Sequence, residues 1–179
     1  MERRVALLRG INVGTAKRIA MADLRTLFSD LGYTDVRTLL NSGNVVFSGA
    51  KSDANAEALR LEQAIATRLR VTTRITVLSA REIAAAVDDN PLRQIASNPS
   101  RLLLWVLDDN KAVAPLKPLA AERWEPDALA LGKRVAYFWC ADGLSKSQLL
   151  VAATRVLRDA GTARNLATMT KLRVLVEQK

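Results

Sequence analysis

The stretch "GYTDVRTLLNSGNVVFSG", Gly32 to Gly49, lies between two helix-like patterns, and its reading decides the fold. Val36, Thr38 and Leu40 alternate with Arg37 and Leu39, which is the two-residue period of a strand. Asn41-Ser42-Gly43-Asn44 interrupts that pattern, and Val45-Val46-Phe47 resumes it. Two strands joined as a hairpin follow, with Gly43 where a tight turn needs positive φ. A hairpin supplies one antiparallel pair, and the flanking elements say what it pairs with.

Upstream, Arg3 to Arg9 reads as a strand, apolar on both faces from Val5 to Leu8 and therefore central. Gly10 to Ile19 is a loop. Met21, Leu24, Leu27, Phe28 and Leu31 recur at helical spacing, so Ala20 to Asp30 is a helix that Gly32 stops. Downstream, Asp53 opens a helix to about Leu69 with Leu59, Leu61, Ile65 and Leu69 as its stripe, and the branched residues of Val71 to Leu78 make a strand. Strand, helix, strand, strand, helix, strand, joined by right-handed crossovers, is a ferredoxin-like βαββαβ unit.

The second half also alternates. Ser79 and Glu82 form a capping box for a short helix that Asn90-Pro91 ends. Arg101 to Leu107 is a strand, Pro115 to Arg123 a short helix, and Ala128–Leu131 and Lys133–Cys140 are strands turning at Gly132. Ser145 caps a helix to Asp159, Gly161 ends it, and a last helix runs from Thr168, its cap, to Gln178. The chain reads as an α+β protein of two subdomains, residues 1–79 and 80–179, the second a degenerate copy of the first.

Composition narrows the chemistry. The 179 residues carry 49% hydrophobic and 25% charged side chains, a globular balance. No apolar stretch reaches the length of a membrane span. The single cysteine, Cys140, lies among bulky apolar neighbours and reads as core, which fits a reducing, cytoplasmic setting. There is no histidine, which excludes histidine triads and makes a zinc site untenable. No metal and no cofactor is expected. The net charge of +9 favours anionic partners, nucleic acid or an anionic small molecule, although the basic residues are dispersed.

In a ferredoxin-like unit the first two strands are parallel, with the third antiparallel between them. The exit of the first strand and the hairpin turn then share one edge, and the start of the fourth strand joins them with Arg68 and Arg70. "RGINVG" (Arg9 to Gly14) and "NSGN" (Asn41 to Asn44) become neighbours beside the start of the first helix, whose free N–H groups favour an anion. Arg9 can fork onto phosphate or carboxylate, Lys17 can act as a point charge, and Asn12, Asn41, Ser42 and Asn44 offer neutral donors. Gly10 and Gly14 permit close backbone approach. The competing reading is that these residues only turn the chain.

The segments "VALLRGINVG", "MADLRTLFSDLGYTDVRTLLNSGNVVFSG", "DGLSKSQLL" and "GTARNLATMTKL" together resemble the bacterial family DUF1697, a domain of unknown function. The resemblance implies an α/β protein of ferredoxin-like parts and carries no activity. It implies that the family's polar residues fall here on Arg9, Asn12, Gly14, Arg37, Ser42, Gly43 and Asn44, and later on Ser145, Lys146, Arg164, Asn165, Thr168 and Lys171. Thr15 stands where the family has a second glycine. "ARNLAT" replaces a typical "TRNWNT", so an indole is missing and base stacking there is disfavoured.

Two functional classes lead, with a protein-interaction module, suggested by the many apolar residues of the second half, as a third. One is a binding protein with an anion- or phosphate-binding polar edge, with nucleic acid among its candidate partners. The other is an enzyme acting on a small phosphorylated or carboxylated substrate without metal or histidine, with Arg9, Lys17 and Arg164 binding charge and Ser42 or a carboxylate doing the chemistry; Ser42 has no histidine partner, and the spacing gives no warrant for Lys146 as its base.

Overall fold

In the computed structural model, which describes residues 1–15 and 17–178, the chain divides into two compact units. Unit 1 is Met1–Ile83 together with the segment from Leu172 onward, and unit 2 is Ala84–Lys171. The C-terminal segment therefore belongs with the N-terminal half, an assignment for which the sequence pattern carries no signal.

Unit 1 contains β1 (Glu2–Leu8), α1 (Met21–Asp30), β2 (Thr34–Leu39), β3 (Asn44–Gly49), α2 (Ala54–Leu69) and β4 (Ile75–Ser79), which runs straight into α3 (Ala80–Asp88). The strands are ordered β2-β3-β1-β4 with every neighbouring pair antiparallel. β3 thus lies between β1 and β2, as the hairpin requires. Ala6, Leu8, Val45, Phe47, Ile75 and Val77 project from one face into a core closed by Leu24, Leu27 and Phe28 of α1 and Leu61 and Ile65 of α2. The opposite face, with Val5, Leu7, Val46 and Leu78, is buried as well. Burial on both faces is why β1 reads as a continuous apolar run rather than an alternation.

Some boundaries differ from the sequence reading. Val71 and Thr73 precede β4 rather than opening it: Thr73 Oγ1 donates to the Arg9 carbonyl at 2.8 Å, a tie that replaces sheet pairing. Leu59 is exposed, and the inward stripe of α2 uses Glu57 and Ala58 beside Leu61 and Ile65. A glutamate takes a core position here because its charge is met on every side.

Arg4 and Glu57, 2% and 5% exposed, form a buried ion pair. Arg4 Nη1 donates to the Glu57 carboxylate and to Ser52 Oγ, and its Nη2 donates to the Ala50 carbonyl. The hydroxyls of Tyr33 and Ser52 donate to the same carboxylate. The guanidinium also lies over the Phe47 ring at 5.6 Å, and Phe28, Tyr33 and Phe47 pack as a ring cluster. Burial pushes the Glu57 carboxyl up, but the hydroxyls of Ser52 and Tyr33 and the Arg4 charge outweigh it and hold it below the usual range. Tyr33 is pushed up to about 12, by burial first and then by its bond to Glu57.

Unit 2 contains β5 (Leu102–Val106), a 3₁₀ turn at Lys111–Leu116, α4 (Lys117–Ala121), β6 (Ala128–Leu131), β7 (Val135–Trp139), a 3₁₀ turn at Leu144–Lys146, α5 (Gln148–Leu157) and β8 (Thr162–Asn165), which runs straight into α6 (Leu166–Glu177), a helix whose residues from Leu172 onward count with unit 1. Its strand order, β6-β7-β5-β8, repeats that of the first sheet, again antiparallel throughout. Trp105 and Phe138 join Leu149, Ala153 and Leu157 of α5 in its core, and Cys140 is fully buried there.

Two expectations in this half need correction. α5 is capped by Ser147, whose side chain accepts from the Leu150 N–H at 3.1 Å, while Ser145 sits exposed in the preceding 3₁₀ turn. The last helix starts at Leu166 rather than Thr168, because Thr162–Asn165 pairs with β5 as an eighth strand. The Asn165 side chain then accepts from the Thr168 N–H at 2.9 Å. Among the described residues, no helix is long and apolar enough to cross a membrane.

The buried pair yields two outcomes. Glu57→Ala leaves Arg4 charged and unpaired in the core and should cost about 3–5 kcal/mol in a urea melt, whereas Arg4→Met with Glu57→Leu should recover most of that. The lowered Glu57 pKa gives stability that is complete above the unfolded-state value of about 4.5 and is lost as pH falls through the folded value, and Glu57→Gln should flatten that acid limb. The raised Tyr33 pKa works in the other direction, with stability lost as pH climbs from 10.0 toward about 12, and Tyr33→Phe should remove that loss in thermal melts.

Candidate functional site

Strand register puts the exit of β1 and the β2–β3 turn at the same end of the first sheet, since Leu7 pairs with Asn44 and Leu39 pairs with Asn44 on the other side. Three further bonds lock the loops together. The Leu8 N–H donates to the Gly43 carbonyl at 2.8 Å, the Arg9 N–H to the Arg74 carbonyl at 2.9 Å, and Asn12 Nδ2 to the Asn41 carbonyl at 2.7 Å. Arg9, Asn12, Asn41, Ser42, Gly43 and Asn44 therefore converge, with Gly14 and Lys17 on the same loop.

Their roles differ. Asn12 is a clasp: Nδ2 also donates to the Ile19 carbonyl and Oδ1 accepts from the Ile19 N–H, both at 2.9 Å, closing residues 12–19 into a loop that ends at the start of α1. Both amide hydrogens of Asn12 are thus used within the chain. Asn44 is fully buried and donates to the Leu39 carbonyl at 2.9 Å and to Ser42 Oγ at 3.0 Å, fixing the hairpin turn. Gly43 has φ +74°, and a Cβ there would lie 2.7 Å from Leu8 Cβ and Ile11 Cδ1. Only glycine lets the turn close over Ile11.

Gly10 and Gly14 present the contrast. Both have positive φ, +63° and +62°, yet a Cβ on either would meet nothing within 4 Å. They bend an exposed loop rather than permit packing. Lys17 and Arg18 are exposed on this loop, Val13 is 72% exposed, and Leu40 beside it is 54% exposed at φ 59°. The loop leads into α1, whose N-cap residue, Ala20, supplies no side-chain hydrogen bond. Its first N–H groups have no side-chain cap, and Lys17 and Arg18 precede them in the chain.

Arg18 and Arg74 were not among the residues expected from the sequence. Arg18 adjoins Lys17 in a stretch without apolar periodicity, a signal that was available. Arg74, exposed and 3.5 Å from Glu62, is held at this edge by the Arg9–Arg74 backbone bond beside the Leu8–Ile75 pairing, at the start of the fourth strand that the topology already placed here. Arg68 is paired with Asp30 on the helix surface. Arg70 ends α2 in a left-handed conformation, φ 56°. Arg37 lies exposed in the middle of β2 and its Nη1 donates to Gln178 at 3.4 Å.

The later candidates all lie in unit 2. Ser145, Lys146 and Lys171 are exposed. Arg164, in β8, donates from Nη1 to the Ala163 carbonyl at 2.8 Å, and burial pushes its pKa down to about 10, which leaves it charged at neutral pH. Asn165 caps α6. Among the described residues no group of three or more His, Cys, Asp or Glu side chains is placed to hold a metal ion.

Two α/β units with antiparallel sheets and a loop-built polar edge define the class of protein. The chain belongs to the family described as "Protein of unknown function (DUF1697)", whose model matches residues 1–137. The matched span holds every residue of the polar edge; the segments around Ser145 and Arg164 lie beyond it. The fold is similar to that of a conserved bacterial protein from Streptococcus pneumoniae, with TM-score 0.79 and 23% identity over 98% of this chain and 99% of that one. No curated protein sequence matches the chain.

The two kinds of glycine separate in a thermal melt. Gly43→Ala should cost about 2–4 kcal/mol through overlap and strain, and Gly14→Ala only about 1–2 kcal/mol through φ alone.

Proposed function

We propose that this protein is a binding protein for phosphate-bearing ligands, which it engages at the end of the first sheet where the β1–α1 loop meets the β2–β3 turn. The observation that carries the reading is the clasped loop 12–19. Asn12 ties its two ends together just before α1, so the exposed Lys17 and Arg18 lie a few residues ahead of a helix start that has no side-chain cap, a layout that supports an anion site. The strand order of each unit supports a ferredoxin-like architecture, with the second unit a degenerate copy of the first. The net charge of +9 draws anions toward such a surface, and a single buried cysteine suits a cytoplasmic setting.

Nucleic acid is the favoured partner class, bound through its phosphates rather than by stacking. Phe47, the aromatic residue of β3, is fully buried in the ring cluster and offers no platform for a base. The catalytic alternative has less support, since Ser42 Oγ is already held by the Asn44 amide.

The test is fluorescence anisotropy with a short single-stranded oligonucleotide across a salt series. Binding should weaken steadily with salt, and Lys17→Glu with Arg18→Glu should lower affinity about tenfold or more and flatten the salt slope. Absence of a complex at low salt, or equal binding by that variant, would reject the reading.

A further inference from the structure

Unit 1 has a second basic site at the opposite end of its sheet. The β1–β3 register pairs Glu2 with Gly49, and the β1–β4 register pairs Arg4 with Ser79, so the start of β1 and the ends of β3 and β4 come together there. Between them lies a cleft of about 540 Å³ lined by Met1, Glu2, Arg3, Lys51 and the Ser79–Arg81 turn. Arg3, Lys51 and Arg81 outnumber the one carboxylate in its wall, Glu2.

We propose that this cleft binds the phosphoryl group of a small phosphorylated molecule, with Arg3, Lys51 and Arg81 as its cationic contacts. The three cations come from separate elements: β1, the segment after β3, and the first turn of α3. A dianion is the ligand that best repays gathering them, and a carboxylate would satisfy fewer of them against Glu2.

Arg3 supplies the second observation. Its Nη1 is buried and, among the described residues, has no hydrogen-bond partner. A charged donor left so placed is costly, and the negative charge of a phosphoryl group in the cleft that Arg3 lines would offset that cost. The α3 start is not the attraction. The Ser79 N–H and hydroxyl donate to Glu82 at 2.8 and 2.9 Å, and Ser79 Oγ accepts from the Glu82 N–H at 3.3 Å, so the capping box already occupies it. The cleft volume falls within the usual range for metabolite sites and well exceeds a lone phosphate, which leaves room for the rest of the molecule.

The experiment is an amide chemical-shift titration of the full chain, with inorganic phosphate as the first probe and a short single-stranded oligonucleotide as the second. Phosphate should shift the amides of Arg3, Lys51, Ala80 and Arg81 in a saturable way. Lys51→Glu with Arg81→Glu, both exposed positions, should weaken that response about tenfold or more while leaving the melting temperature near that of the parent. Lys17→Glu with Arg18→Glu should leave it unchanged, which separates this site from the loop edge. Shifts confined to residues 12–18, unsaturated shifts over the whole surface, or a cleft that answers the oligonucleotide but not phosphate would each overturn the proposal.

Discussion

The first unit depends on a charge that must not be left alone. Arg4 enters the core from β1 beside Val5, and its guanidinium has no route to water. Glu57 from α2 answers it, and Ser52, Tyr33 and the Ala50 carbonyl add hydrogen bonds to the two ions, while Arg4 Nε has no partner among the described residues. Because a buried pair gains its energy only when its partners meet in good geometry, it favours one seating of α2 on the sheet. The capped start of α2, where Asp53 accepts from the N–H groups of Asn55 and Ala56, adds a second anchor at the same end. The ring cluster of Phe28, Tyr33 and Phe47 brings α1 into the same arrangement.

With that end of the unit fixed, the other end can carry an exposed loop. Its stability comes from side chains turned inward: Asn12 across the loop base, Asn44 under the hairpin, Thr73 against the Arg9 carbonyl. Those residues are polar for the chain's own sake, since a loop must satisfy its backbone groups locally. What faces solvent is left basic, with Lys17, Arg18 and Arg74 exposed. The polarity of this edge therefore has two origins, and only the exposed part is available to a ligand.

Unit 2 repeats the strand order but not the solution. The strand at the position of β1, β5, is apolar and buried from Leu102 to Val106 and carries no charge of its own. Its close approach is made instead by Gly161. A Cβ there would lie 2.1 Å from the Val106 carbonyl oxygen, and the preceding Ala160 carbonyl accepts from the Trp105 indole at 2.9 Å. The same path of the chain carries a buried ion pair on the central strand of one unit and a close glycine contact on that of the other. That is how two segments without visible sequence repetition can share a topology.

The sequence by itself determined the order of elements in unit 1, the Gly43 turn, the Ser79–Glu82 capping box and the meeting of the two polar loops. Each follows from short-range periodicity or from the chirality of strand connections. The start of β4, the Ser147 cap and strand β8 were not legible: Thr73, Ser145 and "TARN" all admit more than one local conformation, and a distant partner chooses among them. Only the tertiary structure decided that Asn12 and Asn44 spend their amides on the backbone, because the carbonyls they meet are up to 29 positions away in the chain. It likewise brought Arg3, Lys51 and Arg81 to one cleft, since strand register, which spacing does not encode, aligns the ends of β1, β3 and β4.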